Sequence, residues 1–255
     1  MKKKLIIMSI VTALLSVPSF AFADSNDASA EKTATYQVNQ ATNVDEIITR
    51  AERGITDLDI GDTVTESTYT IDGQDFNVKT YKTAKLVGNE VNRSFSTLNT
   101  KQSNEANIYA VSAAAVYTSS NYESKSDDSY SVTTYSTIYI LKENIDEGVY
   151  ASLTRVTGGW KINDYTTPVS IGFKRYRMGQ NGVNRNGSTF DQNVKAIAIT
   201  NPGPNTFDQN VNYGWQPVAL GQKDFLKALV GVTTEADITV HGKSSKLVLS
   251  NTYNY

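Results

Sequence analysis

Val64-Thr-Glu-Ser-Thr-Tyr-Thr-Ile71, then Asp72-Gly73, then Phe76-Asn-Val-Lys-Thr-Tyr-Lys-Thr-Ala-Lys-Leu-Val87: this stretch decides the fold. Thr, Tyr and Val suit a pleated, half-buried surface, and the pattern runs with period two. Asp-Gly between two such runs is a strong hairpin signal, because both central residues of the tight turn need positive φ. Residues 64–87 therefore read as two antiparallel strands.

The same pattern continues to the end of the chain. Strands are expected at Ile108–Tyr117, Tyr130–Leu141, Val149–Val156, Val169–Met178, Val194–Ile199, Ile238–His241 and Lys246–Leu249, with Gly, Asn, Asp and Ser clusters between them. Asp224 to Val230 fits a helical turn or a strand. Many short strands separated by turn signals imply a sandwich or barrel. The expected fold is mainly β: an antiparallel sandwich-like body over residues 63–255 with one short N-terminal helix.

That helix falls in a helix-and-turn segment, residues 41–62. Asn43 is a good N-cap, Glu46 stands three residues later as in a capping box, and Val44, Ile47, Ile48 and Ala51 share one face. Gly54 is placed to end it. A helix this short, with one apolar stripe, must dock on the sheet.

Further upstream, Lys2 to Lys4, an apolar run from Leu5 to Val17, Pro18 and Ala21-Phe-Ala23 have the form of a secretory signal cleaved after Ala23. The apolar run is shorter than the roughly 20 residues of a membrane span. Residues 24–40, polar and small, read as a disordered acidic leader. The expected location is secreted and extracellular, with no stable transmembrane segment.

The chain has no cysteine, which removes disulfides, thiol catalysis and thiolate metal sites. A body of this size buries enough apolar surface to do without disulfides, and a cysteine-free exported chain fits a Gram-positive source. From Asp24 to Asp75 the net charge is −9, and from Phe76 onward it is +4. Two readings stay open for this asymmetry: a removable pro-segment masking the body, or a solvated acidic arm.

Signals for catalysis are sparse. His241 is the only histidine and sits where a strand meets a turn. No nucleophile elbow, phosphate loop or zinc helix is present. Carboxylates such as Glu143, Glu147 and Asp164 would serve a hydrolase only at a separation that sequence does not reveal. No catalytic residue, metal or cofactor is assigned. The best calcium candidate, Asp57-Leu-Asp59-Ile-Gly61-Asp62, departs from an EF-hand loop and reads as a solvated turn.

Binding signals are richer. Trp215 and Tyr213 lie in Tyr213-Gly-Trp-Gln-Pro, and Trp160 lies in Gly158-Gly-Trp-Lys. Such rings stack on sugar faces or sit at a lipid interface; in the plainer reading they cap the core. In Lys174-Arg-Tyr-Arg177, a strand puts Arg175 and Arg177 on one face and Lys174 and Tyr176 on the other. A pI near 5.5 argues against nucleic acid and leaves cell-wall polymer, glycan or a lipid surface as partners. A charged edge strand that resists aggregation is the alternative for that segment.

Two features remain. Thr189-Phe-Asp-Gln-Asn-Val194 recurs as Thr206-Phe-Asp-Gln-Asn-Val211, read as a duplicated edge or as paired polar groups (Asp191, Asn193, Asp208, Asn210) on neighbouring loops. Ala110 to Leu141 reads as a Ser/Thr-rich hairpin with the charged tip Glu123–Asp128. It fits a pore-forming hairpin or a solvent-facing one, although Ala113-Ala-Ala-Val116 and Thr133-Thr134 break the alternation. Two functions are thus expected: a secreted non-enzymatic binder of a cell surface or extracellular polymer, or a secreted bacteriocin-like or pore-forming antagonist.

Overall fold

The computed structural model describes residues 43–71, 74–92, 104–119, 132–145, 148–163, 169–194, 196–200, 203–220, 229–240 and 243–254. The signal segment with Ala23, the leader 24–40, Asp72-Gly73, Glu123–Asp128, Glu147, Asp164, Lys195, His241 and residues 224–228 lie outside the described residues.

Helix α1 (Val44–Glu52) begins where Asn43 Oδ1 accepts the Asp45 N–H at 3.0 Å. It ends at Gly54, whose φ of +64° suits a residue without Cβ. Gly54 N–H bonds Ala51 C=O at 3.0 Å and Ile55 N–H bonds Arg50 C=O at 2.9 Å, the paired closure typical of a left-handed helix end. Glu46 does not complete the expected capping box in this geometry; its carboxylate meets Lys85 on the sheet at 3.2 Å. Ile47 and Ala51 are buried against Tyr81 and Ala114.

Twelve strands follow among the described residues: β1 (Val64–Ile71), β2 (Gln74–Asn92), β3 (Asn104–Ser119), β4 (Val132–Ile145), β5 (Gly148–Ile162), β6 (Val169–Val183), β7 (Thr189–Asn193), β8 (Ile197–Ile199), β9 (Thr206–Asn210), β10 (Val218–Leu220), β11 (Leu229–Val240) and β12 (Lys243–Asn254). The first sheet runs β1-β2-β3-β4-β5-β10, with β9 also on β5. The second runs β12-β11-β6-β7, with β8 also on β6. Each ladder is antiparallel. Ile71 faces Gln74 across the two-residue connection, as the hairpin reading requires.

The sheets face each other over one main core. Val111, Ile138, Ile140, Val156 and Trp160 of the first meet Tyr176, Met178, Val230, Val232 and Tyr253 of the second. A second cluster joins Val78, Ala113, Ala115 and Val132 to Ile238, Leu247 and Leu249. Each fully buried aliphatic chain contributes about 1.5–3 kcal/mol. The molecule is thus a mostly β, sandwich-like body with one short helix on the outer face of the larger sheet.

The alternation breaks now have a cause. Ala113 and Ala115 face the inter-sheet core, whereas Ala114 faces α1. Thr134 points inward to the Thr234 hydroxyl at 3.0 Å, and Thr133 accepts from Asn163 Nδ2 on the other side at 2.7 Å. Strands β3 and β4 form the two-sided centre of the sheet. The solvent-facing hairpin of the sequence reading is corrected accordingly.

Other boundaries shift. Trp160 belongs to β5, which runs past the expected end at Val156 to Ile162. The expected strand 194–199 shortens to β8 at its end, with β7 lying wholly before it, and β11 starts at Leu229 rather than Ile238.

Candidate functional site

The two identical hexapeptides do the same local job on different sheets. β9 lies along β5 with Phe207 opposite Gly158, and β7 lies along β6 with Phe190 opposite Gly182. They are edge strands of opposite sheets, so their Asp and Asn residues do not share neighbouring loops. At Gly158 the close approach is explicit: a Cβ there would stand 2.6 Å from Phe207 Cζ. The Phe207 ring stacks on Tyr176 (centroids 4.2 Å apart, planes 8° apart) and tilts against Trp160 at 5.8 Å.

Trp160 is therefore a core residue. It is 2% exposed and presents no face to an outside ligand, which corrects its placement among the surface binding residues. Burial follows from its position on the inner side of β5, under β9.

Outward from β9, Asp208 takes a two-pronged contact from Arg155, whose Nε donates at 2.8 Å. The same guanidinium lies 5.4 Å from the Tyr139 ring centroid. Burial raises the Tyr176 hydroxyl above the usual phenol range, and the nearby Tyr213 and Asp208 raise it further. Asp208, Tyr176 and Tyr213 thus sense one another at a single corner.

After β9, Val211 N–H bonds Thr154 C=O at 2.9 Å, and the chain turns at Gly214 (φ +66°). That turn brings Tyr213 and Trp215 together, with ring centroids 5.5 Å apart and planes 33° apart. Tyr213 is 47% exposed. Trp215 is half-buried and backs onto the main core.

A set of amides holds this turn from below. Gln192, in the first copy of the hexapeptide, accepts the Gln216 N–H at 2.6 Å and donates to the Gln216 C=O at 2.9 Å. Fully buried Gln180 donates to the same carbonyl at 2.6 Å and accepts the Leu153 N–H at 2.6 Å. Asn184 Nδ2 donates to Gln216 Oε1 at 2.7 Å, while Asn184 Oδ1 accepts from the backbone of Asn186 and Ser188. Gln180 of β6, Gln192 of β7 and Asn184 just after β6 thus converge on the residue beside Trp215, and Gln180 ties it on to β5. Sequence reading missed Gln180, Gln192 and Gln216, although the repeated Gln was a visible signal.

The basic segment divides as its alternation predicts. Lys174 turns inward, 2% exposed, and its ammonium meets Asn205 Oδ1 at 2.8 Å and Gly203 C=O at 3.3 Å. Arg175 and Arg177 stand on the opposite, outer face. Arg175 Nε and Nη2 both donate to Glu235 Oε2, at 2.8 and 2.6 Å, and Lys246 reaches Glu235 Oε1 at 2.8 Å. The bond from Lys246 is the largest cause that holds the Glu235 carboxyl below its usual pKa; burial opposes it, and the bonds and charge of Arg175 add to the lowering. Tyr176 lies between the two arginines but points inward, so the structure does not merge them with the Tyr213–Trp215 corner.

In the calcium candidate, Asp57 accepts from Leu86 N–H and Arg50, and Asp59 accepts the Gly61 N–H. These carboxylates serve the turn after α1. Comparison with family models, curated proteins and solved structures finds no match to this chain.

An exposed Tyr213 ring tilted against half-buried Trp215, near the exposed Asp208 carboxylate, is a surface on which a sugar could stack its apolar face and place its hydroxyls.

Proposed function

We propose that this is an exported, non-enzymatic protein that binds a glycan-bearing extracellular polymer, such as cell wall, through Tyr213 and Trp215. The export half rests on the sequence: the lysine cluster, the apolar run and Ala21-Phe-Ala23. The binding half rests on one observation, the clamped turn that carries the two rings. Exposed aromatics are common, but a backbone held by Gln180, Gln192 and Asn184 keeps the platform in one arrangement before a ligand arrives. Such pre-organisation lowers the ordering cost of binding.

The pore-forming alternative draws less support. Inserting β3 and β4 into a bilayer would pull the centre out of the larger sheet and expose both cores packed on it.

Co-sedimentation with purified, insoluble peptidoglycan tests the proposal. The mature protein is expected to pellet, and Trp215→Ala is expected to weaken binding about tenfold, equivalent to about 1.4 kcal/mol. Because Trp215 backs onto the core, Tyr213→Ser provides a second variant that leaves packing intact. Unchanged binding in both would overturn the proposal.

A further inference from the structure

The edge of the second sheet is interrupted. β7 pairs with β6 as far as Gly179, and β8 resumes pairing at Tyr176. Between them Val194 N–H bonds Met178 C=O at 3.1 Å. Beside this break in the pairing lies a cleft of about 140 Å³ lined by Arg175, Tyr176, Arg177, Ala196, Thr233 and Glu235. By the same measure a single water needs roughly 10–15 Å³, so there is room for a phosphate with its ester substituents.

The charges around the cleft do not balance. Glu235 is already engaged by Arg175 and Lys246. Arg177 lines the cleft, is exposed and has no ion-pair partner among the described residues. The cleft lining thus holds two guanidiniums and one carboxylate. Glu235 fixes Arg175 in place through Nε and Nη2, so this guanidinium is oriented without a ligand. A planar fork beside an oriented second guanidinium matches the oxygens of a phosphate better than a point charge would.

We propose that this cleft binds the phosphate group of a phosphodiester, with Arg177 as the principal donor and Arg175 as the second. The site stands on residues separate from Tyr213 and Trp215, so it does not depend on the glycan reading. A polyanionic polymer and a lipid head group carry the same phosphate chemistry, and the test separates them.

Fluorescence anisotropy of labelled poly(glycerol phosphate), a phosphodiester polymer, at low salt gives one arm. Sedimentation with phosphatidylglycerol vesicles, set against phosphatidylcholine vesicles, gives the other. The protein is expected to bind saturably in at least one arm, and the arm that binds identifies the source of the phosphate. Arg177→Gln should weaken that binding about tenfold, and Arg177→Lys should recover part of it. Lys161→Gln removes an exposed charge on the other sheet and should not alter phosphate binding. No binding in either arm, or equal losses in Arg177→Gln and Lys161→Gln, would overturn the proposal.

Discussion

Gln180 lies on the inner face of β6, where its carboxamide joins β5 to the residue after Trp215. Its acceptor takes the Leu153 N–H, which β5 offers where its register against β4 shifts between Tyr139 and Ile140. Gln180→Leu would leave that amide buried and unpaired, so unfolding in urea should show a loss of about 1–3 kcal/mol. Gln192 acts differently. It is only half-buried, but it holds both backbone groups of Gln216. Gln192→Leu should cost less stability, about 0.5–1.5 kcal/mol, while weakening glycan binding more than Gln180→Leu does per unit of stability lost. Similar ratios for the two variants would mean that the clamp matters only for folding. Glu235 supplies a pH signature. Its folded pKa is depressed, so its contribution is full above the unfolded value of about 4.3 and fades as pH falls toward the lower folded value. The stability gap between the natural protein and Glu235→Gln should therefore be constant near neutrality and shrink as pH drops through about 4.

Strands and helix show where sequence reading succeeds and where it stops. Asn43 and Gly54 mark α1 because each satisfies a backbone need that few other residues meet, and the Thr- and Tyr-rich runs mark long strands because β-branched and aromatic side chains suit a pleated surface. The short edge strands gave no such signal. β9 and β10 are five and three residues long, follow Pro202-Gly203-Pro204, and take their partner from β5 rather than from local hairpins. For the same reason the clamp under Trp215 was hidden: its amides come from residues 180, 184, 192 and 216, which only the two-sheet topology brings together. Two-sided burial of β3 makes a direct prediction. Ala114 sits under α1 with no exposed surface, so Ala114→Leu should overpack that contact and cost about 1–3 kcal/mol, seen as a lower melting temperature. Tyr117 guards the free edge of β12: its hydroxyl donates to Val248 C=O at 2.5 Å and accepts Val248 N–H at 3.0 Å. Tyr117→Phe should leave both groups open to a second chain, and light scattering should report association at concentrations where the natural protein stays monodisperse.

At the scale of the molecule, the two sheets meet without a disulfide, held by apolar cores and by polar ties that cross between them. Lys82 Nζ reaches Thr252 C=O at 2.6 Å, and Asn251 Nδ2 reaches the carbonyls of Val111 and Ser136 at 2.9 and 3.1 Å. The side of the sandwich at β5 and β6 is finished by four short strands, two along each long one, and it is from this patched side that the aromatic turn and the arginine cleft emerge. A rigid body of this kind leaves binding to its rim, as the proposed glycan platform requires. The most direct measurement is a fluorescence titration in a Trp160→Phe background, so that Trp215 is the sole reporter. Trp160 is enclosed and its Nε1 has no hydrogen-bond partner among the described residues, so that exchange should leave the fold intact. Adding soluble peptidoglycan fragments should change Trp215 emission saturably, and Tyr213→Ser should shift the midpoint upward about tenfold. Emission that stays flat to saturating fragment, from a protein whose circular dichroism matches the natural form, would contradict the account.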